Sequence, residues 1–137
     1  MLPANDDAAL TVRFLDRFFD NYVMSPMQAL VADRLRAETD RDAIGVANAR
    51  RMLDAAYGWL EGQLRPQEWA FGGIFSLADC AAAPALFYAD WAHPIGNRFP
   101  EVLAYRTRVL ARPSVARVVD EARPFRNFFP LGAPDRD

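Results

Sequence analysis

The chain has 137 residues, with 16 basic and 18 acidic side chains, a formal net charge of -2, one cysteine and one histidine. That length fits one domain with one core, and the balanced, scattered charge excludes both the basic field that nucleic acid needs and the acidic tail that suits a basic partner. The lone Cys80 excludes an internal disulfide, Cys80 and His93 together fall short of a zinc ligand set, and the longest apolar run, Cys80 to Ala89, is too short to cross a membrane.

With no signal-peptide pattern either, a soluble cytoplasmic protein without a metal is expected. All the cations are arginines spread over every segment, a compositional bias and not a phosphate site. Met1 to Asn5 reads as the tail of a linker, and a single all-helical domain is expected over 1–137. Asn5, Asp6 and Asp7 suit the positive end of a helix, which is predicted to run to about Met24. Its apolar pairs, Phe14-Leu15, Phe18-Phe19 and Tyr22-Val23, recur every four residues, with Arg13, Asp16, Arg17 and Asp20 around them. Ser25-Pro26-Met27-Gln28 has the pattern of a second start, with Ser25 as N-cap and Gln28 closing a capping box, so a bend is predicted before a helix to about Arg36. Beyond the charged turn Glu38 to Asp42, Val46, Ala49, Leu53, Ala56, Leu60 and Leu64 define a third helix to about Leu64, packed antiparallel on the first. Gly58 and Gly62 weaken it by roughly 1 kcal/mol each relative to Ala unless close helix approach compensates. Arg65 to Ile74, which includes Pro66, is a loop whose Trp69 and Phe71 fold back on the core.

The stretch Phe75-Ser76-Leu77-Ala78-Asp79-Cys80 organises the rest. Ser76 as N-cap accepts the N–H of Asp79, whose carboxylate reaches back to the N–H of Ser76, and Phe75 and Cys80 occupy the two positions of a hydrophobic staple. The helix that follows is apolar almost all round, as a helix enclosed by others must be, and Pro84 is expected to kink it. His93 to Asn97 ends it, Phe99-Pro100 opens a further helix, and Arg112-Pro113-Ser114 closes that one and starts another through Val119 and Ala122. The rings of Phe125, Phe128 and Phe129 in the tail are expected to pack back on the bundle. No alternating segment is long enough for a strand, so the fold class is all-α, a helical bundle around a buried central helix starting at Ser76.

The run Gly73 to Cys80, followed by Phe99-Pro100, Tyr105-Arg106 and Arg112-Pro113-Ser114-Val115, in that order and at those distances, resembles the C-terminal helical domain of a cytosolic glutathione S-transferase of bacterial type. The resemblance covers nearly the whole chain. It implies a thioredoxin-like domain ahead of this one, which in the family activates the glutathione thiol and binds its peptide backbone and γ-glutamyl end. The helical half then supplies the wall of the apolar co-substrate site and much of the dimer contact. Glutathione is thus expected as co-substrate of the complete enzyme, with no tightly bound cofactor, a homodimer or self-association as the assembly, and an inactive isolated chain.

Ser76 and Asp79 are read as a structural cap, and Cys80 as a small hydrophobe with no histidine partner, so no catalytic residue is expected here. His93 lies in a loop with no carboxylate at helical spacing. The resemblance places Phe18, Tyr22, Met24 and Met27 at the co-substrate wall, where methionine adapts to varied apolar ligands; ordinary core is the other reading. Arg13, Arg17 and Asp20 border that face and are read either as interface or glutathione-proximal residues, or as a solvated charged surface. A competing function of another class is a stand-alone interaction module without catalysis.

Overall fold

The computed structural model describes residues 1–65 and 67–135; Pro66, predicted in a loop, lies outside the described residues. Among the described residues every regular element is helical: α1 (Asp6–Phe18), a π turn (Phe19–Met24), α2 (Ser25–Leu35), α3 (Ala43–Gln63), α4 (Leu77–Ala92), α5 (Pro100–Ala111) and α6 (Pro113–Ala122), with 3-10 turns at Glu38–Asp40 and Arg123–Phe128. Asn5 opens α1 by accepting the N–H of Ala8 at 2.9 Å. The predicted cap at Ser25 does not form. Met24 and Ser25 are both helical, and the Ser25 N–H and Oγ–H both go to the carbonyl of Asp20, the latter at 2.9 Å. In an α-helix the Pro26 ring would collide with the carbonyl four residues back; a π turn, whose bonds reach five residues back, moves that carbonyl aside and carries the helix through.

Asp42 caps α3, accepting the N–H of Gly45 at 2.8 Å, while its own N–H goes to Asp33 at 2.7 Å. A side chain on Gly45 would strike the Asp42 carboxylate, which would have to shift from its capping position to admit one. From that turn α3 runs back antiparallel along α2 and the π turn, and its Trp59 reaches Phe14 and Phe18 with ring centroids 5.8 and 4.3 Å away. Close approach does not explain the other two glycines: a methyl on Gly58 would sit at an ordinary 3.8 Å from Phe99, and one on Gly62 would meet nothing within 4 Å.

The core joins Val12, Phe19 and Val23 to Leu53, Tyr57 and Leu60 of α3, Ala82, Ala85, Leu86 and Ala89 of α4, and Val102, Tyr105 and Val109 of α5. Each large apolar side chain buried there contributes about 1.5–3 kcal/mol. Helix α4 is enclosed by α1, the π turn, α2 and α5, and its alanines let those neighbours come close. Pro84 sits within α4 on an exposed position.

Polar groups fix both ends of α4. At the start, Ser76 and Asp79 close a capping box in which Asp79 Oδ2 accepts the Ser76 N–H at 2.7 Å. The other oxygen, Oδ1, accepts the Ala70 N–H at 2.8 Å and the Tyr105 hydroxyl at 2.7 Å, which ties the preceding loop and α5 to the same carboxylate. Phe75 is half-buried, its ring 5.1 Å from Trp69 and the Arg112 guanidinium 3.9 Å above it. Cys80 is half-buried, and burial, then the neighbouring Asp79, pushes its thiol above the ordinary range, which leaves it a poor nucleophile. Near the far end, Asp90 accepts the Ile95 N–H at 2.9 Å and lies 3.6 Å from Arg106, whose Nε donates to the Leu86 carbonyl at 3.3 Å. His93 does have a carboxylate partner, which comes from α3: Asp54 Oδ1 lies 3.1 Å from its Nε2. Glu61 of α3 likewise caps α5, accepting the N–H groups of Glu101 and Val102 at 3.0 and 3.2 Å.

Removing the Asp79 carboxylate strands four buried donors, the N–H groups of Ser76 and Ala70 and the hydroxyls of Ser76 and Tyr105, so Asp79→Ala is expected to cost about 3 kcal/mol or more, against about 1–2 for Tyr105→Phe, read as shifts in the urea midpoint. Gly62→Ala should raise stability by about 0.5–1 kcal/mol in the same assay. Burial, then Asp90 and Asp79 respectively, raises the Tyr57 and Tyr105 hydroxyls well above the usual phenol range. The unfolded chain therefore ionises first: stability is whole below about pH 10 and falls above it by about 1.4 kcal/mol per pH unit for each tyrosine. Denaturation at pH 9 and pH 11 checks this, and the loss should be smaller in Tyr105→Phe.

Candidate functional site

A concavity of about 600 Å³ lies between α2, α4, α6 and the 3-10 turn after α6. Helical spacing builds two of its walls. Met24 at the end of the π turn and Met27, Val31 and Leu35 of α2 follow one another at three and four residues along one face, and Phe87, Tyr88 and Trp91 project from one face of α4. Phe87 and Trp91 are buried and 4.5 Å apart between ring centroids. The third wall comes from Val119 of α6 and from the Arg123–Phe128 turn.

A 3-10 turn eclipses residues three apart. Arg123 and Arg126 therefore share one ridge and Phe125 and Phe128 another, these two rings stacking at 6.4 Å. The expectation for the tail needs correction here: Phe125 and Phe128 are 63% and 79% exposed, and Phe129 alone of the three lies on the bundle, its ring 5.6 Å from Tyr88 and 5.4 Å from Trp91. The backbone leaves the 3-10 period after Phe128, which turns Phe129 inward. The Arg126 guanidinium lies 5.1 Å over the Trp91 ring and donates to the Pro134 carbonyl; Arg123 pairs with Asp120 at 2.9 Å.

The four residues read as a co-substrate wall divide between two surfaces. Met24 and Met27 line the cavity. Phe18 is buried under Trp59, and Tyr22, 51% exposed, stacks on Phe18 at 5.1 Å, so both belong to an aromatic face made with Phe14. Six residues separate Phe18 from Met24, about 1.7 helical turns, which already points their side chains apart. Beside the aromatic face, Arg17 bridges Asp16 at 3.0 Å and Asp20 at 2.7 Å, and Arg13 is exposed.

The sequence reading missed Phe87, Tyr88 and Trp91, hidden in a helix apolar on every side, and the two arginines, whose spacing of three after Ala122 is the signal of the 3-10 turn. No carboxylate, histidine or cysteine lines the cavity among the described residues, and its charged lining is Arg123 and Arg126. The site can orient an apolar molecule and exclude water; it offers no acid–base pair.

Residues 32–108, more than half of the chain, match the family described as glutathione S-transferase, C-terminal domain. A glutathione S-transferase from Methylobacterium radiotolerans, in complex with glutathione sulfonate, is 27% identical with a TM-score of 0.73, over 85% of this chain and 56% of that one. A glutathione S-transferase from Methylobacillus flagellatus with glutathione bound has a TM-score of 0.77 at 20% identity, over 85% and 58%. A Phanerochaete chrysosporium glutathione transferase with oxidized glutathione has a TM-score of 0.76 at 24% identity, over 91% and 57%. The chain thus spans less than two thirds of the length of these transferases. No curated protein sequence matches it significantly. No helix among the described residues is long and apolar enough to cross a membrane. From the family match over residues 32–108 and the shared helical fold, the chain belongs to the glutathione S-transferase C-terminal domain family.

Proposed function

We propose that this chain forms the apolar co-substrate wall of an enzyme that joins glutathione to an electrophilic carbon. The supporting observation is the cavity of about 600 Å³, faced by thioethers and aromatic rings and lined by no carboxylate, histidine or cysteine among the described residues. In the complete enzyme a thioredoxin-like domain supplies the thiolate; its sulfur forms the new S–C bond, and a leaving group departs with the electron pair of the bond it breaks. Met24, Met27, Phe87 and Trp91 hold the electrophile against that sulfur and keep water out, so their contribution is proximity and desolvation. Glutathione is a co-substrate brought by the other domain, and the isolated chain turns nothing over.

A second reading, an interaction module without catalysis, is favoured by the aromatic face of Phe14, Tyr22 and Trp59 with Arg13, Arg17 and Asp20 beside it, the surface where a second copy of the chain would dock. On either reading self-association is expected, and a light-scattering mass that stays at the monomer value over a wide concentration range counts against it.

The wall reading is tested by NMR titration of the chain with N-phenyl-1-naphthylamine, an uncharged aromatic amine, and with glutathione. The amine should shift resonances of Met24, Met27 and Trp91 saturably, and glutathione should shift none. Absence of amine binding at those residues overturns the wall reading. Saturable conjugation of glutathione to an activated chloronitrobenzene by the isolated chain overturns the assignment of thiol activation to another domain.

A further inference from the structure

We infer that Tyr88 is a specificity-determining residue whose hydroxyl selects apolar ligands that carry a carbonyl oxygen. This rests on the wall reading above and adds the class of ligand. The chain has four tyrosines, and their hydroxyls meet different surroundings. The two buried ones are satisfied within the fold: Tyr57 donates to the His93 carbonyl at 3.1 Å, and Tyr105 to Asp79 at 2.7 Å. Tyr22 is 51% exposed and open to water. Tyr88 is half-buried on the cavity wall, and among the described residues its hydroxyl has no protein acceptor. Its hydrogen bond therefore goes to whatever fills the cavity, water or ligand.

An apolar molecule that enters displaces that water. If it brings no acceptor, the phenol is stranded among rings and thioethers, which weakens binding by about tenfold. The hydroxyl cannot swing out to solvent, because the ring is held on three sides: Phe87 and Trp91 meet it edge to face at 5.0 and 5.6 Å, and Phe129 stacks on it at 5.6 Å. The other polar side chains of the lining are differently placed. Gln28 is exposed on α2 and keeps its water when a ligand binds, and Arg123 and Arg126 hold Asp120 and the Pro134 carbonyl. Tyr88 is thus the group whose partner a ligand has to replace. A carbonyl oxygen does so, and it fixes orientation as well: the oxygen lies at the α4 wall and the apolar remainder against Met24 and Met27. A site that offers one such donor rejects the analogue that cannot accept from it.

The test compares 2-acetylnaphthalene with 2-isopropenylnaphthalene, which has a methylene in place of the oxygen, by NMR titration of the chain and of Tyr88→Phe, a substitution that keeps the ring packing. Both probes should shift Met27 and Trp91 resonances saturably. Tyr88→Phe should weaken the ketone about fivefold and tighten the hydrocarbon by a similar factor, since the first loses its bond and the second no longer strands a phenol. The carbonyl stretch of the ketone bound to wild type should lie below its value in cyclohexane and return to that value in Tyr88→Phe, a readout that a change in packing alone does not move. Equal effects of the substitution on both probes, or a wild-type carbonyl stretch that matches cyclohexane, overturns the role of Tyr88 and leaves the wall intact. Failure of both probes to shift Met27 and Trp91 in wild type overturns the wall reading and this inference with it.

Discussion

One buried carboxylate sets the geometry of this domain. Asp79 is fully buried, and its two oxygens gather the N–H and hydroxyl of Ser76, the N–H of Ala70 and the hydroxyl of Tyr105. A carboxylate moved from water into a core costs several kcal/mol, and only a full set of donors makes the site tolerable. The donors come from three places, the helix cap, the loop before it and α5, so the charge is satisfied only when all three are assembled. The Ser76 cap is therefore more than the local start of a helix. It is the point where α4 acquires a fixed position relative to the rest of the bundle.

That position carries over to the cavity. With α4 held at one end by Asp79 and near the other by Asp90, Ile95 and Arg106, the rings of Phe87, Tyr88 and Trp91 project from a backbone that cannot slide. The facing wall has a different character. Its methionines have several rotamers and soft thioethers, and the Arg123–Phe128 turn is joined to the bundle by ring contacts of Phe129 and by the Arg126 guanidinium over Trp91.

How much of this was legible in the sequence follows from the range of each interaction. The Ser76–Asp79 box spans three residues and reads off directly, as do the helical periods and the all-α class. Ser25-Pro26-Met27-Gln28 carries an equally good local pattern, yet the helix passes through it, because Phe19, Val23 and Met27 are all buried in one core and a π turn costs less than withdrawing them. Tyr105, Glu61 and Asp54 have partners twenty-six to forty-one residues away, and no local spacing announces such pairs. The tail rings failed for another reason: their hydrophobicity was read without the threefold period that separates Phe125 and Phe128 from Phe129.

The division of Phe18 and Tyr22 from Met24 and Met27 bears directly on what the cavity can do. Had all four faced one pocket, the Tyr22 phenol would have faced a bound electrophile from the α2 side, across from the Tyr88 phenol of the α4 wall. With Tyr22 on the aromatic face beside Phe18 and Trp59, a phenol is absent from the α2 wall, and the polar side chains that line the cavity are Gln28, Tyr88, Arg123 and Arg126. On the proposed reading the cavity acts on an electrophile by binding orientation alone, with thioethers on one side and aromatic rings on the other.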